Sequence, residues 1–169
     1  MQQFAKTSDA IAATTKKLVK TSIVAEFLKG LPTEEAAIAA VFLSGRPFPV
    51  WEETTLQVGG RSLWQIVAEL AGKEESSLSK AYRQHGDLGA VAGAVLPARA
   101  GGELSIIQVE QFFRKIANTR GPSAKGALVR ELLSQASPSE AKYIIKIMTG
   151  DLRIGLKESL VEEAIAKAY

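Results

Sequence analysis

The chain has 169 residues, 46% hydrophobic and 23% charged, with a net charge of +3, which is the composition of an ordinary globular domain long enough to bury a core. It contains no cysteine, which excludes disulfides and thiolate metal sites and suits a reducing compartment. Met1 to Asp9 lack the apolar core of a signal peptide, and the longest unbroken apolar run, Ala36 to Leu43, falls well short of the roughly 20 residues of a membrane span. The expectation is one soluble, unsecreted domain without membrane partners, cytoplasmic and nucleoid-associated in a bacterium or nuclear in a eukaryote.

The first predicted helix runs from about Lys17 to Lys29. Around its start cluster Thr14, Thr15, Lys16, Lys17, Lys20 and Thr21, whose hydroxyls and helix amides can grip phosphates while the lysines displace counterions. Lys17 and Lys20, three apart on one face, are the preferred pair, although a solvated helix face with a Thr cap has the same residues. A second helix covers Thr33 to Ser44, and the stretch 45 to 49 reads as a loop. Leu56-Gln57-Val58 is too short to introduce a sheet. After the loop 59 to 61, Ser62 and Gln65 form a predicted capping box ahead of Leu63, Val67, Leu70 and Ala71. Helical patterns continue at Ser77 to Gln84 and Leu88 to Val95. The loop 97 to 102 contains Ala98 to Gly102, the expected division of the chain.

Beyond it, Ser105 and Gln108 make a second capping box before Ile106, Val109, Phe113 and Ile116. In Arg120-Gly121-Pro122-Ser123-Ala124-Lys125, Ser123 is the predicted cap of a helix reaching Ala136, and Lys125 occupies the first turn against the helix dipole. An anion at that helix end would resolve the conflict. Ser137-Pro138-Ser139-Glu140 then supplies an N-cap acceptor, a proline at N1 and a carboxylate at N3, starting a helix from about Pro138 to Thr149. Lys142 and Lys146 share one of its faces, and Gly150 stops it. Leu160, Val161, Ala164, Ile165 and Ala168 place a final helix from near Lys157 or Glu158. The predicted class is all-α.

Between these last helices lies Gly150-Asp151-Leu152-Arg153-Ile154-Gly155-Leu156. Two glycines let a backbone approach a ligand, a new helix N-terminus adds partial positive charge, and Arg153 and Lys157 add full charges. Asp151 could cap a turn, orient Arg153 or repel an anion. A helix cap followed by a plain turn would also use both glycines. Gly150 and Gly155 have the separation of a Walker A loop, but Leu156-Lys157-Glu158 stands where Gly-Lys-Ser/Thr is needed. Residues 1 to 31 hold five Lys/Arg against two Asp/Glu, and residues 120 to 169 eight against six, while residues 32 to 100 hold six against eight. Two basic segments are thus expected to converge on one face over an acidic scaffold.

Catalytic chemistry has few candidates. His85, the sole histidine, is expected at a helix end, and Glu34-Glu35, Glu52-Glu53 and Glu74-Glu75 point apart on a helix and read as solvated pairs. Trp51 and Trp64 lack basic neighbours and read as core or lid residues, favouring duplex over single-strand binding.

The segment Tyr143 to Tyr169, "YIIKIMTGDLRIGLKESLVEEAIAKAY", closely resembles the end of the N-terminal DNA-binding domain of ATP-dependent DNA ligases. "TTKKLVKTSIVAEFL" from Thr14, "FLSGRPFPVWEETTLQVGG" from Phe42, "GDLGAVA" from Gly86 and "GPSAKGALVRELL" from Gly121 agree more loosely and in order. Gly126 departs from the family, which commonly carries a second lysine there. The resemblance implies two similar helical halves, residues 1 to 97 and 103 to 169, presenting a surface to the minor groove of nicked double-stranded DNA. No sequence-exact repeat stands out to match them. It implies adenylation and OB-fold domains downstream, which use ATP and Mg2+; no Lys-x-Asp-Gly occurs here, so this segment should bind DNA without cofactor and without ligating. The candidate DNA-binding set is Thr15, Lys17, Lys20, Thr21, Ser123, Lys125, Lys146, Gly150, Asp151, Leu152, Arg153, Gly155 and Lys157, with no catalytic or metal residue and a monomer expected. A helical DNA module of a non-ligase repair or chromatin protein, and a helical protein-interaction scaffold, remain the alternatives.

Overall fold

A computed structural model describes residues 1 to 100 and 103 to 169. Gly101 and Gly102, which end the expected division at Ala98 to Gly102, lie outside the described residues. All regular structure among the described residues is helical: α1 (Gln2–Ala12), α2 (Lys17–Lys29), α3 (Thr33–Leu43), α4 (Gly60–Ala71), α5 (Glu75–His85), α6 (Leu88–Val95), α7 (Ile106–Asn118), α8 (Pro122–Ser134), α9 (Pro138–Thr149) and α10 (Glu158–Ala168).

Local chemistry sets several of these boundaries. Both capping boxes with a serine immediately before the helix form: Ser105 caps α7 with Gln108 reaching back, and Ser137 caps α9 with Glu140 reaching back. The box expected at Ser62 does not form, because α4 begins earlier at Gly60 with Gly59 as its N-cap. Likewise Gly121, with φ of 91°, is the N-cap of α8, and Pro122 takes N1. Ser123 lies inside the first turn and caps nothing. Sequence periodicity gives no helix ahead of Lys17, yet α1 is there. Of its five buried residues, Phe4, Ala5, Thr7, Ser8 and Ile11, only Phe4 and Ile11 are large and apolar, so the apolar stripe is sparse.

One core cluster receives side chains from all ten of these helices. At its centre Phe4 of α1 meets Phe42 of α3 and Tyr143 of α9 edge-on, with ring centroids 6.1 and 6.3 Å apart, and Phe42 meets Phe113 of α7 at 5.5 Å. Such edge-to-face pairs add about 0.5–1.5 kcal/mol each beyond burial. The Tyr143 hydroxyl donates to Asp9, and burial together with that carboxylate pushes its pKa up. Fixed in this way, α9 presents its C-terminal end and the loop after it to solvent.

Two close helix pairs position that end. α6 runs along α9 because Gly89 leaves no side chain between them: a Cβ there would lie 2.6 Å from the Lys142 carbonyl oxygen and 2.6 Å from Lys146 Cγ. α2 runs along α10, joined by Lys167 donating to Ser22 Oγ at 2.8 Å and by the Tyr169 hydroxyl donating to the Leu28 carbonyl at 3.1 Å. The two basic chain segments therefore meet.

Candidate nucleic-acid interface

α9 ends as its sequence requires. Gly150 adopts the left-handed conformation with φ of 85°, its amide reaches the Ile147 carbonyl at 3.1 Å, and the Asp151 amide reaches the Lys146 carbonyl at 3.1 Å. Asp151 then shapes the loop in two ways. Its Oδ1 accepts the Arg153 amide at 2.9 Å, and its Oδ2 lies 3.6 Å from Arg153 Nε. It is both a turn cap and an orienting group, which holds Arg153 in a left-handed conformation with φ of 52°. Strain of that kind in a residue other than glycine concentrates at functional sites.

The loop side chains alternate between inside and outside. Leu152 and Ile154 are buried, while Arg153, Gly155 and Lys157 are exposed. Leu152 is thus a core anchor, a correction to its place among the DNA-binding candidates. Its neighbours carry the surface: Gly150, Arg153, Gly155 and Lys157 line a cleft of about 240 Å³. Lys157 is the N-cap of α10 and makes no side-chain cap; the Leu160 amide turns back to the Lys157 carbonyl at 2.9 Å, which leaves the Glu158 and Ser159 amides for solvent or a ligand.

Four further candidates prove to be internal. Lys20 is buried, and its ammonium donates to the Ile154 and Gly155 carbonyls at 2.8 and 3.0 Å, turning those acceptors away from an anion. The Thr21 hydroxyl is spent on the Lys17 carbonyl at 2.9 Å. Lys146, also buried, donates to Asp87 Oδ2 at 3.1 Å and to the Leu152 carbonyl at 3.2 Å. Lys125, in the first turn of α8, is buried and donates to the Leu56 carbonyl. Each lysine serves as a strut for a loop, because a buried ammonium must find acceptors and a phosphate cannot reach these. Thr15, Lys17 and Ser123 remain exposed. Lys17 begins α2, about one helical turn before the Lys20 that clasps the 150–157 loop, and its side chain is exposed. Ser123, at the start of α8, lies in a different part of the chain's surface, near the loop that Lys125 holds.

A contributor that periodicity did not reveal is the turn between α5 and α6. Gly86-Asp87-Leu88 repeats the tripeptide Gly150-Asp151-Leu152, and the two turns share geometry. In each, glycine ends a helix at positive φ, 86° and 85°; aspartate Oδ1 accepts an amide ahead, from Ala90 or Arg153, at 2.9 Å; and leucine is buried. The turns are also joined. Arg153 Nη1 donates to the Gly86 carbonyl at 3.0 Å, and Lys146 spans Asp87 and Leu152. Burial pushes the Asp87 pKa up, but the Ala90 amide, Lys146 and Arg153 outweigh it and hold the carboxyl below its ordinary value. His85, the last residue of α5, and Arg83 are exposed next to this turn. The acidic middle of the chain is therefore more than a scaffold.

Residues 1 to 166 match the family model described as DNA ligase N terminus. The chain belongs to that family. A probable DNA ligase of Koribacter versatilis is 52% identical over 100% of this chain and 30% of its own length. A probable DNA ligase of Opitutus terrae is 37% identical over 98% of the chain and 20% of its own length, and a DNA ligase of Methanopyrus kandleri is 33% identical over 89% and 28%. This ligase N-terminal domain thus spans under a third of the length of these relatives. No helix among the described residues is long and apolar enough to cross a membrane.

Two expectations about the remaining polar and aromatic residues change. Glu52 is not a solvated member of a pair: Arg114 bridges it to Glu110, and the guanidinium lies 4.5 Å from the centroid of the Phe48 ring. Trp64 is half-buried against Tyr82 with centroids 5.7 Å apart, but Trp51 is 78% exposed and belongs to no core.

Proposed function

We propose that this domain is the non-catalytic duplex-binding clamp of an ATP-dependent DNA ligase, holding nicked DNA while catalytic domains elsewhere in the full-length enzyme seal it in replication, repair or recombination. The observation that carries the reading is the exposed edge of the 150–157 loop: Arg153 held by Asp151 and Gly86, and Lys157 at the uncapped start of α10, with the exposed Lys17 at the start of α2, the helix whose Lys20 holds this loop. Cations and helix amides at one edge suit successive phosphates, and they carry no information about base sequence. Thr15, Gly150 and Gly155 complete this face, and Ser123 provides a separate contact at the start of α8.

The domain's part in ligation is to position the ends, converting an encounter between catalytic groups and a nick into an intramolecular step. No Lys-x-Asp-Gly, the motif whose lysine takes AMP in such ligases, is present in this segment. The nucleotide and metal belong, in this proposal, to the catalytic domains downstream. The domain acts as a soluble monomer on DNA in the cytoplasm.

Fluorescence anisotropy of the chain with nicked, intact and single-stranded DNA across a salt series tests the proposal. Sequence-indifferent duplex binding with a log–log salt slope of about 0.9 per phosphate contacted is expected. Absence of duplex binding at low salt would replace the clamp with a protein-interaction role.

A further inference from the structure

Adjoining the 150–157 cleft, with which it shares Ser44, an apolar groove of about 400 Å³ lies between α3 and α10. Its floor is Ala36, Ala40 and Val41 of α3 with Val161 and Ile165 of α10, and Trp51 and Tyr169 stand on its rim. Trp51 and Tyr169 are 78% and 74% exposed, and Val50 beside Trp51 is also exposed. Single exposed apolar residues are common, but aromatic residues gathered around an apolar trough mark a contact surface. Glu158 and Glu162 form its acidic edge, with Glu158 lying 3.5 Å from Arg46.

The position of Tyr169 indicates what covers the groove. Its hydroxyl is fastened to the Leu28 carbonyl, so the backbone at the end of α10 is held at the rim with little slack. In family members the polypeptide extends well beyond the matched N-terminal part, of which this chain spans 30% and 28% in the Koribacter and Methanopyrus relatives. The residue after position 169 starts one Cα step, about 3.8 Å, from that rim. A segment delivered there has a high effective concentration, so a groove too small to hold a free protein partner can hold a tethered one.

We propose that the groove seats the polypeptide directly C-terminal to this domain in the full-length ligase, an apolar segment with a basic residue facing Glu158 and Glu162. The domain is then docked in a set orientation relative to its C-terminal neighbour. The proposal rests on the ligase reading for the existence of that segment, and the groove adjoins the DNA-facing cleft at Ser44 and the start of α10.

Hydrogen exchange resolved by peptide, on the full-length protein and on the 169-residue chain, provides the test. Amides of α3 and α10 should exchange roughly tenfold more slowly in the full-length protein. Ala37→Arg, an exposed position on the groove wall, should abolish that difference without altering the melting temperature of the 169-residue chain. Equal exchange in both proteins would overturn the proposal. So would protection that appears in the 169-residue chain as its concentration rises, which would assign the groove to a second copy. Duplex anisotropy on the same samples separates the two readings. DNA binding without protection sinks the docking alone, and protection without DNA binding sinks the clamp alone.

Discussion

Replacing Lys20 by methionine separates a residue that shapes the loop from one that touches DNA. The substitution keeps most of the buried stem and removes the ammonium, leaving the Ile154 and Gly155 carbonyls without their donor. Two hydrogen bonds from a charged donor are worth about 1.5–3 kcal/mol each, and relief of the buried charge offsets part of that, leaving a net loss of about 2 kcal/mol. The loop should open roughly 30-fold more often, and duplex affinity should fall wherever the closed loop is no longer the dominant state. Lys17→Ala, at an exposed neighbour in the same helix, removes one of the proposed phosphate contacts instead. Anisotropy titrations across a salt series distinguish the two: Lys17→Ala lowers the log–log slope by about 0.9, whereas Lys20→Met lowers affinity with much less change in slope. A slope loss of about 0.9 for Lys20→Met, with a loop as protected as in the parent chain, would refute the assignment of Lys20 as an internal clasp.

Other residues of the paired turns give further tests. Gly155→Ala puts a Cβ 2.5 Å from Lys20 Nζ at a φ of 65°, so it should weaken duplex binding and lower the melting temperature despite adding only a methyl group; an unchanged melt and unchanged affinity would contradict that. Asp87→Asn leaves the Lys146 ammonium buried without its counter-charge and should cost about 3 kcal/mol in urea unfolding at neutral pH. Because the folded pKa of Asp87 is depressed, its stabilisation is fully present above the ordinary value of 3.8 and is lost as pH falls through the lower folded value. The gap between parent and Asp87→Asn should therefore narrow only in that acidic window, as a pH series of unfolding curves would record. Arg153→Ala should weaken binding to duplexes of different sequence by similar factors, and a strong change in sequence preference in a competition assay would count against a backbone contact.

The range of each interaction decides whether the sequence discloses it or hides it. α9 is legible from end to end because its cap, its proline and its terminating glycine all lie within it or adjoin it. α1 is not, because Ala5 and Ser8 pack as well as larger residues when another helix lies close, and only the tertiary structure supplies that helix. The lysines show the same limit at the site. Lys17 and Lys20 look equivalent along the chain, yet one faces solvent and the other meets carbonyls 134 and 135 residues away. Nothing local distinguishes a phosphate ligand from a strut.

The Gly-Asp-Leu recurrence lies between these cases. Three shared residues carry no weight by themselves, but their meaning is in what the aspartates do. In both turns the aspartate first satisfies an amide beyond the helix end, a local task that its sequence position alone allows. Its second oxygen then takes a cation, and there the turns diverge: Asp87 binds the buried Lys146, which also holds the Leu152 carbonyl, while Asp151 binds the exposed Arg153, which reaches the Gly86 carbonyl. Both cations belong to the 146–153 segment, and the 86–87 turn supplies an acceptor to each. A loop built this way cannot relax independently of α5 and α6, so a substitution in the 85–87 turn should change duplex affinity without contributing a phosphate contact of its own. In the proposed clamp, the rigidity comes from this coupling, and the charge offered to DNA comes from the few cations it leaves free.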